Sequence, residues 1–377
     1  MIIGFDAKRA TANFTGLGNY SRYIIDSLAQ QCPIHDLRMY IPKLYNNAAY
    51  DKLLLYKNVS SCLPNNSWDN LLPALWRING INRQLKKDKI DVFHGLSNEI
   101  PFGIEQSGVT SVVTIHDLIF LHYPKFYKLI DRNIYNTKFH YACKHADRIV
   151  AVSNCTKRDI VKFYNIDPDK IDVIYQNCHT IFNQETPSYE INRVKMAYNL
   201  PERFMLYVGT IEERKNALLA VKAMPHIDPD IHMVIVGRKT PYINDIYNYI
   251  NNNKLNDRVH FIHDMDITDL PVMYRLARMF VFPSRYEGFG IPILEALTSG
   301  TPVVAATGSC LEEAGGPSSI YVEPDDTQGM IDAIKAIFTN DELHARMKNA
   351  GLEYIKRFDN TQMVNSLLDT YNKALNK

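Results

Sequence analysis

The chain has 377 residues, 46% hydrophobic and 22% charged, ordinary values that exclude a disordered or fibrous protein. At roughly 150 residues per domain there is room for two domains and two buried cores. The 42 basic and 41 acidic side chains leave a net charge of +1, without the basic excess of a dedicated nucleic-acid binder, so no nucleic-acid partner is expected.

The charge is unevenly spread. Residues 1–180 carry 22 basic and 16 acidic groups, and the remainder 20 and 25. A basic first half and an acidic second half suggest lobes with different partners. No apolar run reaches the roughly 18–20 residues of a membrane span. The opening Met1-Ile2-Ile3-Gly4-Phe5 is too short for a signal peptide, so a cytoplasmic chain is expected. Its six cysteines form no C-x-x-C pair, which leaves no zinc or redox motif.

Apolar, β-branched runs recur along the chain. In the first half they cover 2–5, 37–41, 92–94, 112–115, 149–152 and 171–175. In the second half they cover 204–208, 233–236, 259–262, 279–282, 303–305 and 320–322. Most are continuously apolar, as strands buried on both faces are. Amphipathic stretches between them predict an α/β chain of β-α-β units with parallel sheets. The pattern occurs twice, with a polar break that places a linker near 180–200. From about 328 to the end only helix is predicted.

Open parallel sheets bind ligands at the carboxyl ends of their strands, so the candidate functional residues are those just past each run. After the first run comes Gly16-Leu17-Gly18-Asn19-Tyr20; no third glycine completes a dinucleotide fingerprint. His94 and His116-Asp117 each end a strand. The stretch 123–145 interleaves Lys125, Lys128, Arg132, Lys138 and Lys144 with aromatic residues. It suits either an anionic lipid surface or a packed helix whose aromatic side chains face the core.

In the second half, Gly209-Thr210-Ile211-Glu212-Glu213-Arg214-Lys215-Asn216 comes directly after a buried strand. Its adjacent Arg and Lys suit a diphosphate. Asp264-Met265-Asp266 has the form of a metal-chelating Asp-x-Asp, but acidic residues there suit a helix start. The strongest signal is Glu287-Gly288-Phe289-Gly290-Ile291-Pro292-Ile293-Leu294-Glu295. The glycines permit close backbone approach, and Pro292 opens a helix whose free N–H groups suit phosphate. Two carboxylates eight residues apart bracket the turn, placed to hold hydroxyl groups at two points of one ligand.

The run Ser284-Arg285-Tyr286-Glu287-Gly288-Phe289-Gly290, with Glu295 eight residues beyond Glu287, resembles the signature of retaining glycosyltransferase family 4. The resemblance implies the GT-B fold, two Rossmann-like doubly wound domains facing across a cleft. An acceptor-side domain would span 1–185 and a nucleotide-sugar-binding domain 186–360. A closing helix over 361–377 would pack back on the first domain.

It also implies roles. Arg214 and Lys215 would neutralise the leaving nucleoside diphosphate, Glu287 would hold sugar hydroxyls, and His116 would contact the donor sugar. Gly16, Gly18, Gly209, Thr210, Gly288, Phe289, Gly290, Ile291 and Glu295 would line the donor, with Glu295 on the ribose. His94 and Asp117 would lie on the acceptor side. Neither metal nor cofactor is implied, because the cations and the helix dipole take their place. Many family members carry Arg directly after the loop glycine; Thr210 stands there instead. With Arg-Lys-Asn this resembles the mannosyltransferase branch.

The expected reaction moves a hexose, mannose from GDP-mannose first, with retention onto a glycan or lipid-linked glycan hydroxyl. The product would be an α-linkage in a surface polysaccharide. The basic first half suggests peripheral contact with the inner membrane face. Two alternatives stay open: a sugar-nucleotide epimerase of similar fold, and a non-catalytic subunit that binds a partner transferase.

Overall fold

The structure is a computed structural model describing residues 1–376, with the backbone alone at 67–68. The chain forms two compact units. One runs from Met1 to Gln176 and resumes at Phe358; the other is Asn177–Arg357.

The first unit is built on a seven-stranded sheet. Its strands are β1 (Ile2–Asp6), β2 (Asp36–Tyr40), β3 (Val59–Cys62), β4 (Val92–Gly95), β5 (Thr110–Ile115), β6 (Arg148–Ala151) and β7 (Ile171–Val173). The spatial order is β3-β2-β1-β4-β5-β6-β7, and every pairing is parallel. The second unit holds β8 (Phe204–Val208), β9 (His232–Val236), β10 (Val259–Ile262), β11 (Met279–Phe282), β12 (Val303–Ala306) and β13 (Ile320–Val322). Their order is β10-β9-β8-β11-β12-β13, again all parallel. These are Rossmann-like sheets. Each has a switch point where the strand order reverses, β1 beside β4 and β8 beside β11, and such a point is where ligands bind.

Strand composition explains the layering. Met279-Phe280-Val281-Phe282 and Val303-Val304-Ala305-Ala306 are buried at every position, as central strands covered by helices on both faces must be. β3 is different. Val59-Ser60-Ser61-Cys62 is short, polar and at the sheet edge, so it lacks the apolar run that marks the other strands.

The segment 180–200 is folded, not a linker. It contains the helix Ser188–Ala197, whose Val194 is buried and whose Arg193 pairs with Asp269. The final helix Asn360–Leu375 buries Met363, Val364, Leu367 and Tyr371 within the first unit. Its Asn360 Oδ1 accepts from Ser27 Oγ at 2.9 Å.

Candidate active site

In the second unit the loops leaving β8 and β11 meet at the switch point. Gly209, after β8, has φ +154°, and its N–H donates to Val236 O at 2.9 Å. A Cβ on Gly237 would fall 1.9 Å from the Gly209 carbonyl, so the backbones after β8 and β9 touch only because Gly237 carries no side chain. The loop then makes the 3-10 turn Glu213–Lys215 and ends at Asn216, which is left-handed with φ 57°. Asn tolerates that conformation better than most residues. Here Asn216 Nδ2 donates to Pro283 O at 3.2 Å and Pro324 O at 2.7 Å. The Arg285 N–H donates to Arg214 O at 2.9 Å. Backbone contacts thus fix the Arg-Lys pair against the second loop.

These two cations converge on Glu287. Lys215 Nζ lies 2.9 Å and Arg214 Nη1 3.1 Å from Glu287 Oε1, and Ser284 Oγ donates to the same oxygen at 2.7 Å. Arg214 is braced by Tyr286 O at 2.6 Å and Glu212 at 2.7 Å. Burial alone would push the Glu287 carboxyl up, but Lys215 and Arg214 hold it down to about 2. It is therefore a fixed carboxylate, and its Oε2 has no hydrogen-bond partner among the described residues.

Beyond it, Gly290 (φ 149°) opens the helix Ile291–Thr298 with Pro292 in the first turn. Phe289 is buried, and the Cys310 thiol donates to the carbonyls of Glu287 and Phe289. Glu295, on that helix, accepts from Tyr274 Oη at 3.0 Å. Burial pushes its carboxyl up to about 7 despite that bond.

The other predicted residues lie in the first unit. The N–H of His116, just past β5, donates to Asn98 Oδ1 at 2.7 Å. Its Nε2 lies 2.9 Å from Leu96 O; a carbonyl only accepts, which places the proton on Nε2 and leaves Nδ1 as an acceptor. Burial depresses the imidazole to about 4, so it is neutral near pH 7. Asp117 Oδ1 accepts from the Ile119 N–H at 3.2 Å and starts the next helical turn. His94 is fully buried. Its Nδ1 bonds Tyr371 Oη at 2.8 Å and its Nε2 bonds Thr114 Oγ1 at 2.9 Å. Thr114 Oγ1 in turn bonds Tyr20 Oη at 3.0 Å. With both ring nitrogens engaged and no exposed surface, His94 has nothing to offer an acceptor. It ties the last helix to the sheet, a correction to its predicted place.

Two family profiles match, one on each unit. "Glycosyltransferase Family 4" covers residues 14–176 and "Glycosyl transferases group 1" covers 188–354. The chain belongs to glycosyltransferase family 4. It is 27% identical to O-antigen chain mannosyltransferase B of Escherichia coli, across 93% of this chain and 95% of that one. It is 29% identical to O-antigen chain mannosyltransferase RfbU of Salmonella typhimurium, across 66% and 65% of the two chains. Among solved structures, Anabaena Alr3699/HepE in complex with UDP and glucose superposes with TM-score 0.76 at 16% identity, over 98% of each chain. WaaG, a glycosyltransferase involved in lipopolysaccharide biosynthesis, gives 0.70 at 15%, over 98% and 99%. The fold is GT-B.

In this family 4 glycosyltransferase, sequence reasoning missed the supports of the site. Asn216, Gly237 and Tyr274 each act through a contact between separate segments of the chain, which no local motif announces; Ser284 lies only three residues from Glu287, within the signature run itself. Asp266 accepts from the Thr268 N–H at 2.9 Å, so it caps the turn Ile267–Asp269, as its helix-start context predicted.

The paired glycines separate into two kinds. A Cβ on Gly18 would lie 1.9 Å from Asn13 O, whereas one on Gly16 meets nothing within 4 Å. Gly18→Ala is expected to cost about 2–3 kcal/mol of stability through overpacking, and Gly16→Ala to leave the melting temperature unchanged. Thermal melts of the two variants check this; equal losses would refute it.

Proposed function

We propose that this glycosyltransferase transfers mannose from GDP-mannose, with retention at the anomeric carbon, to a glycan or lipid-linked glycan hydroxyl in surface polysaccharide synthesis. The observation that carries the reading is the Glu287 carboxylate. It is gripped on one oxygen by Lys215, Arg214 and Ser284, leaves the other for hydroxyls, and sits at a sheet switch point beside a helix N-terminus. The mannose choice rests on the two O-antigen mannosyltransferases that align with the chain.

The chemistry comes from charge. As the glycosidic bond breaks, negative charge grows on the departing diphosphate. Arg214, Lys215 and the amide ends near Gly288, Gly290 and Ile291 are preorganised to stabilise it, the kind of term that usually dominates catalysis. Glu287 Oε2 accepts from sugar hydroxyls, and Glu295 accepts from the ribose. The donor phosphate takes the acceptor proton on the same face, so no residue serves as covalent nucleophile and the anomeric configuration is retained.

Glu295 gives a pH signature. Below about pH 7 it is protonated and loses acceptor capacity toward hydroxyls. The donor KM is expected to rise toward about tenfold per pH unit as pH falls through that value, and Glu295→Gln to flatten the profile. A donor KM independent of pH between 5.5 and 8 in the parent protein would remove Glu295 from the donor.

We place the enzyme at the cytoplasmic face of the inner membrane. The helix Leu129–His145 supports this with an unexpected surface. Its Phe139 is buried, and Tyr135 and Phe139 pack around Phe120. The aliphatic residues Leu129, Ile130 and Ile134 are instead 66%, 73% and 47% exposed. They stand beside Lys125, Lys128 and Arg132, a mixture suited to anionic lipid. No helix among the described residues is long and apolar enough to cross a membrane.

The test is a nucleotide-sugar panel incubated with the protein and an acceptor mixture, read by release of nucleoside diphosphate and by NMR of the product anomer. GDP release from GDP-mannose with an α-product is expected. Release from another donor moves the sugar assignment, and a β-product from that donor overturns retention.

A further inference from the structure

Four charged side chains converge on a small recess in the first unit, at the switch point between β1 and β4. Asp6 ends β1, and Glu99 lies four residues beyond β4. Arg77 is delivered by the π-helical turn Trp76–Gly80, a rare element frequent at functional sites. Lys138 comes from the helix Leu129–His145. Arg77 Nε and Nη2 grip Asp6 Oδ2 at 2.9 and 2.5 Å, and its Nη1 reaches Glu99 Oε2 at 2.9 Å. Lys138 Nζ stands 3.3 Å from the same oxygen. Ile78 and Phe102 complete the wall, around about 20 Å³ of free space, enough for one water or one hydroxyl group.

A purely structural ion-pair cluster would use up its own donors and acceptors. This one does not. Glu99 Oε1 has no hydrogen-bond partner among the described residues, and Lys138 donates to one oxygen only. Glu99 and Lys138 keep 19% and 30% of their side-chain surface exposed. The recess therefore presents one acceptor and spare N–H donors side by side. A hydroxyl group, which donates one hydrogen bond and accepts others, matches both.

Charge excludes the other ligand classes. Two carboxylates disfavour a phosphate and two cations disfavour a metal ion, so the four groups together select a neutral polyol. Phe102 adds an apolar face, held by Tyr141 with ring centroids 4.3 Å apart.

We propose that this recess is an acceptor subsite. It takes one hydroxyl of the acceptor saccharide, with Glu99 accepting from it and Lys138 donating to it. Arg77, clamped by Asp6, is the positioning residue that aims Glu99. The assignment rests on the glycosyl-transfer reading above and adds residues that no motif marks.

Saturation-transfer NMR on the full chain with methyl α-D-mannopyranoside, without donor, tests it. The parent protein is expected to bind. Glu99→Ala and Lys138→Met should each weaken binding about tenfold or more, the worth of one lost hydrogen bond to a charged group. Lys138→Arg, which keeps charge and donors, should restore most of it. No binding by the parent, or Lys138→Met and Glu99→Ala binding within twofold of it, overturns the proposal. If Glu99→Ala does not fold, the Met and Arg pair at the half-exposed Lys138 decides. The transfer reading fails by a different result: no nucleoside diphosphate released by the parent protein from any nucleotide sugar.

Discussion

Glu287→Gln is expected to lower kcat by about two to three orders of magnitude, the usual loss when one preorganised electrostatic contact to the reacting groups is removed. The substitution preserves shape and can still accept from Ser284, so the fold should persist. What changes is charge. The native carboxylate stays ionised down to about pH 2, because Lys215 and Arg214 both face it across about 3 Å. Across any working pH it is a charged acceptor for hydroxyls and never a proton donor. A neutral amide puts an NH2 donor in place of one carboxylate oxygen, and Lys215 then stands without its carboxylate partner while Arg214 keeps Glu212. Steady-state kinetics together with a thermal melt check this. A variant that keeps more than a tenth of parental turnover would refute a main role for the Glu287 charge in stabilising the transition state. The acid limb of the parent profile should survive the substitution, since Glu295, not Glu287, titrates near neutrality.

How much of this site is legible in the chain alone depends on how locally each part is encoded. Glu287, Gly290 and Glu295 sit on one strand-turn-helix unit, so their spacing already states their geometry. Arg214 and Lys215 are legible for the same reason, as neighbours in a loop after a buried strand. Their convergence on one carboxylate oxygen is not, because it depends on Asn216 reaching Pro283 and Pro324, contacts that span 67 and 108 residues. His94 misleads because its position at a strand end is shared by catalytic and structural histidines alike. What decides between them is Tyr371, 277 residues away. β3 escapes detection for a simpler reason: an edge strand with two serines need not be apolar. The recess at Asp6 shares the long-range character of the Asn216 contacts. Its residues come from four segments between Asp6 and Lys138, and only the switch point of the sheet gathers them.

Lys215→Met is expected to cost about 3 kcal/mol of stability, the lower end for removing one partner of a buried ion pair. Arg214 and Ser284 stay to hold the carboxylate, which keeps the loss from being larger. The same substitution should lower kcat about 10²–10³-fold by removing a cation from the leaving group. Lys215→Met combined with Glu287→Gln separates the two effects. In stability the pair should couple by about 1–2 kcal/mol, so that the double variant is more stable than the two single losses predict. Once the carboxylate is neutral, the missing ammonium no longer leaves a buried charge short of a partner. In turnover the losses should also fail to add, because both residues shape a single charge distribution around the departing diphosphate. Denaturant melts and kcat on all four proteins of the cycle give both numbers. Strict additivity in stability and in turnover would mean that the 2.9 Å contact between Lys215 and Glu287 carries no energy, and that the two residues act on the donor independently.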